Sequence, residues 1–97
     1  MIRTIQLTDA KAIRDISEFS LGYKTTEAVT ERQIAKLLKD RQHFIRVYED
    51  DETHTVVGFI HAEAYELLYK EPGFNILGLA LLSEYQHIVL LRYLLME

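Results

Sequence analysis

His61 and Glu63 stand two positions apart in a stretch that alternates like a β-strand, so both side chains fall on one face. An imidazole beside a carboxylate is a pair suited to moving protons near neutral pH. The two form the candidate catalytic pair, reaching into a substrate cleft; the alternative is a pair that simply faces solvent. His43 and His54 flank a hairpin and read as surface residues. His87 lies in the apolar C-terminal stretch, and the four histidines show no metal-ligand spacing, so no metal site is expected. The run Glu49-Asp50-Asp51-Glu52 lacks the glycine and ligand pattern of a calcium loop and reads as a solvated turn. There are no cysteines, which excludes disulfides, thiolate metal sites and a cysteine nucleophile. The six tyrosines are scattered, and core or rim roles suffice for them.

Several elements must position these groups. Ile2, Ile5 and Leu7 suggest a short first strand. Thr8 then caps a helix with Asp9 in its first turn, and Ile13, Ile16 and Phe19 form its buried stripe. Residues 21–26 read as a loop. Thr30 and Gln33 fit a capping box for a second helix, with Val29 and Ile34 as a hydrophobic staple and Ile34, Leu37 and Leu38 as the apolar face. Residues 43–49 alternate as a strand, and a longer strand follows over 54–65. Its faces are expected to be Val56, Gly58, Ile60, Ala62, Ala64 and Val57, Phe59, His61, Glu63, Tyr65. Pro72-Gly73 punctuates the next connection. Residues 74–82 form a last strand, apolar enough to be buried on both faces. Ser83 and Gln86 then fit a capping box for a terminal helix running to Glu97. The order β-α-α-β-β-β-α is that of an α+β domain: a mostly antiparallel sheet flanked by helices.

The chain of 97 residues is expected to form one domain, 1–97, with a small core. Apolar residues make up 48% and charged residues 27%, ordinary for a globular protein. A formal charge of -4 and a pI near 5.5 argue against a nucleic-acid or anionic-membrane surface. The N-terminus lacks the apolar core of a signal peptide, and the densest apolar run, 88–96, is broken by Arg92 and falls short of the ~20 residues a bilayer span requires. A cytoplasmic protein is the expectation.

The segment Gly78-Leu79-Ala80-Leu81-Leu82-Ser83-Glu84-Tyr85-Gln86 resembles the fourth strand and turn of the GNAT N-acetyltransferases, and the element order is similar to the N-terminal and middle parts of that fold. The resemblance implies an acetyl-CoA-dependent N-acetyltransferase that lacks the family's C-terminal strands. It implies that the main chain of Leu79, Ala80 and Leu81 bonds the coenzyme's pantetheine arm like an added strand, with an N–H there polarising the thioester carbonyl. It places the pyrophosphate loop at Gln86, His87, Val89 and Leu91. Here the sequence departs from the family, whose loop carries small residues where Val89 and Leu91 stand. A β-branched Val89 resists positive φ, and both side chains occupy space that phosphate oxygens need. Losing several charge-assisted bonds of roughly 1.5–3 kcal/mol each implies weak or absent coenzyme binding. The family's usual acid, a tyrosine, falls beyond Glu97. His61 and Glu63 remain the base candidates, and the amine substrate has no signature.

Two function classes follow. One is an acetyl-CoA-dependent N-acetyltransferase. The other is a catalytically inactive, truncated GNAT-like remnant that acts as a dimeric interaction module. A homodimer is expected either way, built through a surface beginning at Ile76 and ending at Met96, because the last strand presents an uncharged apolar edge and the terminal helix has no fully polar face.

Overall fold

The computed structural model describes residues 1–82. The expectations for Ser83, Gln86, His87, Val89, Leu91 and the terminal helix lie outside the described residues. Strands β1 (Ile2–Thr4), β2 (His43–Glu49), β3 (Val56–Leu67) and β4 (Lys70–Leu81) form one antiparallel sheet in the order β1-β2-β3-β4. Helices α1 (Ala10–Leu21) and α2 (Glu27–Leu38) connect β1 to β2. The α+β class and the order β-α-α-β-β-β are as the sequence implies.

The chain enters α1 differently from expectation. Thr8 is not a cap; it lies in a 3-10 turn, Leu7–Asp9, and the helix begins at Ala10. The Asp9 carboxylate is turned back, accepting the Gln6 N–H at 2.8 Å and both terminal nitrogens of Arg3 at 2.8 and 2.9 Å. That buried ion pair locks a tight turn, and the helix can start only after it. Phe19 does not join the buried stripe and is 69% exposed. Steps of three residues drift about 60° each around a 3.6-residue helix. Ile13 and Ile16 are buried, but the next inward position is Ser20, whose hydroxyl donates to the Leu81 carbonyl. Gly22, in the left-handed conformation at φ 74°, closes α1 by donating its N–H to the Glu18 carbonyl.

Helix α2 also starts earlier than expected. Thr26, not Thr30, is its cap, its Oγ1 accepting the Val29 N–H at 3.1 Å. Glu27 and Ala28 are sound helix formers, so the helix extends back to the earlier hydroxyl. Thr30 becomes an interior residue, buried and bonded to the Thr26 carbonyl, while Val29 stays exposed.

Two irregularities shape β3 and β4. Glu49 pairs with Val56 and Tyr48 with Gly58, which leaves Val57 as an extra residue. The bulge changes the expected faces: Val56 joins Ile5, Ile13, Ile16, Ile34, Val47, Phe59 and Ala80 beneath the helices, whereas Val57 packs with Tyr48 and Leu81. The β3–β4 turn lies at Leu68 and Tyr69, so Pro72-Gly73 sits inside β4 and not in a connection. Pro72 is tolerated because it falls opposite the register shift between Tyr65 and Leu67, on the last strand of the described sheet. Finally, β4 is not buried on both faces. Only Ala80 and Leu81 are buried, while Phe74, Ile76, Leu77 and Leu79 are 65, 59, 50 and 41% exposed. Helix α1 reaches the end of β4 through Ser20, and the rest of the hairpin projects past the helices.

Candidate active site

Folding β2 against β3 brings together groups that are far apart in sequence. His43 pairs with Glu63 and Ile45 with His61, so the two histidines are diagonal neighbours on the helix-facing side of the sheet. His43 Nδ1 lies 2.8 Å from His61 Nε2, with ring centroids 5.0 Å apart. The other nitrogen of His43 lies 3.9 Å from a Glu63 carboxylate oxygen and 3.8 Å from Asp40 Oδ2. Asp40 is held in place by its own turn: Oδ1 accepts the Gln42 N–H at 2.9 Å, and its carbonyl accepts the His43 N–H at 3.1 Å. The expectation that His43 is a surface residue is therefore corrected. Its side chain is 17% exposed, because Asp40, Glu63 and His61 surround it. His54, by contrast, is 76% exposed in the β2–β3 turn.

His61 also walls a cavity of about 180 Å³ between the two helices and the sheet. Ile13, Ile34, Leu37, Ile45 and Phe59 supply most of its surface, and Ser17, Thr30 and Gln33 add polar atoms. Burial pushes the His61 imidazole below the ordinary histidine range; the nearby His43 pushes the same way, and Glu63 pulls it back up. The shift favours the neutral ring at His61, the form that can accept a proton. Among the described residues, no group of three or more His, Asp or Glu side chains is arranged to hold a metal ion.

That shift has a consequence for stability. The folded chain binds fewer protons at His61 than the unfolded chain does, so this contribution is complete above the unfolded pKa of about 6.5 and is lost as pH falls below it. Urea midpoints at pH 7.5 and pH 5.5 should fall further for the native protein than for His61→Gln. Equal losses would show that His61 does not carry the acid-side slope.

Strand β4 runs alongside this cluster. Gly78 pairs with His61 and Ile76 with Ala62, leaving Leu77 as an extra residue, so a bulge immediately precedes Gly78. The glycine itself is not forced by geometry: a Cβ there would meet Phe59 at an ordinary 3.5 Å. What Gly78 does is leave the space beside His61 without a side chain. The bond from the Leu82 N–H to the Val57 carbonyl sets the phase of the ladder. By antiparallel alternation Ala80 and Gly78 bond inward, towards Phe59 and His61, while Leu79 and Leu81 turn their main-chain groups to the outer edge. The Ser20 hydroxyl bond to the Leu81 carbonyl fits that phase. Among the described residues no strand pairs with this edge.

The structure places His61 and Glu63 on one face of β3, the placement their spacing implied, and sets both beside His43, with Asp40 next to it; the sequence reading missed the last two. Alternation gave no signal for them: a regular hairpin about residues 50–55 would set His43 opposite Ala62, and the extra residue at Val57 moves the register so that His43 opposes Glu63. Leu79, Ala80 and Leu81 lie on β4 next to the cluster, while Gln86, His87, Val89 and Leu91 lie outside the described residues.

No protein-family model matches the sequence. No curated protein matches it either. Solved structures do match. An aminoglycoside antibiotic 6'-N-acetyltransferase from Acinetobacter baumannii superposes with a TM-score of 0.77 at 16% identity, covering 99% of this chain and 66% of that one. A GNAT family acetyltransferase from Staphylococcus aureus gives 0.75 at 17% identity, covering 89% and 64%. A spermidine N-acetyltransferase variant from Vibrio cholerae gives 0.68 at 16% identity, covering 98% and 58%. At these identities the likeness is one of fold. The chain has the GNAT acetyltransferase fold and spans about two thirds of the length of the structures it matches first.

Proposed function

We propose that this chain is an N-acetyltransferase domain that takes its acetyl group from acetyl-CoA. The observation that carries the reading is the juxtaposition at β4: a bulged strand whose outer edge at Leu79 pairs with no strand among the described residues, and Gly78 directly opposite the imidazole of His61, which walls an apolar cavity. The likeness to the acetyltransferase structures supports it at the level of fold.

The described residues fit part of the coenzyme. Leu79, through its outward N–H and carbonyl, and Leu81, through its N–H, would hold the pantetheine arm as a strand adds to a sheet edge; the Leu81 carbonyl already accepts the Ser20 hydroxyl. When bound, acetyl-CoA supplies a thioester carbonyl open to attack by an amine. The chain's own contribution is to hold that amine beside His61, accept its proton and keep water away with Ile13, Ile45 and Phe59. The sequence at Val89 and Leu91 does not suit the pyrophosphate, so the phosphates add little affinity. The names of the matching proteins, an aminoglycoside and a spermidine N-acetyltransferase, support an amine as the acceptor proposed here and nothing finer.

Calorimetry tests the reading. Acetyl-CoA is expected to bind with a Kd of about 0.1–1 mM, or roughly 4–5.5 kcal/mol. Acetyl-pantetheine should bind within a few-fold of it. Silence at several millimolar for both would overturn the proposal.

A second reading, the non-catalytic dimeric module, has its own support in the exposed Phe74, Ile76, Leu77 and Leu79 on the last described strand. It proposes a homodimer through residues 76–96, of which 83–96 lie outside the described residues. Sedimentation equilibrium at micromolar concentration is its test, and a clean monomer mass would sink it. The chain's cytoplasmic placement is a proposal of the same standing; among the described residues no helix is long and apolar enough to cross a membrane.

A further inference from the structure

We propose that His43 and His61 form a two-imidazole relay, in which His43 fixes His61 as the Nε2–H tautomer and passes the substrate's proton outward to Glu63 and Asp40. The inference rests on the acetyltransferase reading for its substrate, an amine, but its geometry stands on its own. His61 is the catalytic residue of the relay and His43 its positioning residue.

The tautomers follow from the charges around His43. Its Nε2 lies 3.8 Å from an Asp40 oxygen and 3.9 Å from a Glu63 oxygen. A bare nitrogen lone pair facing two carboxylates is repelled by both, so the proton of a neutral His43 belongs on Nε2. Its Nδ1 is then an acceptor. His61 Nε2 lies 2.8 Å from it, too close for two lone pairs to face each other, and must donate. His61 Nδ1 is left bare and is the base available to an amine. Besides His43 and Glu63, the described elements packed against His61 bring no titratable side chain to the cavity it walls. The helices offer Ser17, Thr30 and Gln33, and β4 offers Gly78.

The proton balance closes without any co-reactant. The substrate ammonium breaks one N–H bond and His61 Nδ1 forms one. The Nε2 proton of His61 crosses to His43 Nδ1, and the Nε2 proton of His43 leaves through a bridging water to Glu63 or Asp40. Those carboxylates are 41 and 46% exposed and exchange protons with solvent. One proton moves from the cavity to bulk water, and the free amine is left to attack; both rings then carry their proton on Nδ1, and each regains the Nε2–H form by proton exchange with water before the next turnover.

Nitrogen-15 correlation spectra of the histidine-labelled wild-type protein at pH 7.5 read the tautomers directly, with His43→Gln and His61→Gln used for assignment. The expected pattern is Nε2–H with bare Nδ1 for both rings. Nδ1–H on His61, or a cationic His43, would overturn the relay whatever the activity. In an acetylation assay His43→Gln should lower kcat about tenfold with KM for the amine within twofold, and the basicity limb of the pH profile should move. His43→Gln with unchanged kcat and an unmoved profile would overturn the relay even with the expected tautomers. Absent acetyl-CoA binding, by contrast, sinks the acetyltransferase reading and leaves the tautomer result to decide the relay.

Discussion

Asp9→Ala is expected to destabilise the protein by about 3–5 kcal/mol, the cost of removing one partner from a buried ion pair. Its carboxylate accepts Arg3 Nη1 at 2.8 Å, Arg3 Nη2 at 2.9 Å and the Gln6 N–H at 2.8 Å. Arg3 also bonds Glu49 at 3.1 Å, so a single guanidinium ties β1, the end of β2 and the turn into α1. The side chains of Asp9 and Arg3 are only 6 and 20% exposed. Truncation leaves a guanidinium with half its acceptors and a main-chain N–H with none. A domain of this size has a total stability of about 5–15 kcal/mol, so a large share would go. At about 4–8 °C per kcal/mol, the melting temperature should fall by at least about 12 °C. Lys11→Ala is the control. It removes an exposed helical pair with Asp15, 75 and 42% exposed, and should cost no more than about 0.5 kcal/mol. Urea unfolding of both variants decides the matter, and a loss under 1 kcal/mol for Asp9→Ala would show that the triad is not the clamp described.

The same triad explains one limit of the sequence. A helix-capping rule weighs local spacing, and by that rule Thr8 and Asp9 form a normal helix start. The rule is blind to Arg3, which lies six residues upstream of Asp9 and claims its carboxylate for a different turn. Strands β2 and β3 are legible because each is a run rich in β-branched and aromatic residues and the polar run 50–53 separates them. What alternation alone missed was the extra residue at Val57, since a bulge reverses the faces without changing the composition. For the site, His61 and Glu63 were visible as a same-face pair on one strand. His43 and Asp40 were not, because their contact depends on hairpin register, which only the folded sheet supplies. The apolar character of β4 likewise suggested burial, but burial depends on whether a helix covers the strand, and α1 reaches only its end.

Leu79→Pro is expected to weaken acetyl-CoA binding by about 10–100-fold, past detection at accessible concentrations, while leaving the fold in place. The phase of the β3–β4 ladder turns the Leu79 N–H to the outer edge, where no described strand uses it. Proline is tolerated at such edge positions because the missing N–H breaks no ladder bond. A pantetheine arm docked as an added strand would lose that donor, worth about 0.5–1.5 kcal/mol, and would also meet the ring. Against a total of only about 4–5.5 kcal/mol, a loss of roughly 1.4–2.8 kcal/mol is decisive. Leu79→Val is the control, since it keeps the N–H and should bind as the native chain does. An unfolded Leu79→Pro protein would show that this N–H faces β3, and unchanged binding would show that the arm does not use this edge. The variant also separates the two functional readings, because strand pairing between two copies needs the same outer donors. If Leu79→Pro converts a dimer to a monomer and the native chain gives no heat with acetyl-CoA, β4 is an assembly edge. If it abolishes coenzyme binding in a chain that is monomeric throughout, β4 is the docking strand of an enzyme.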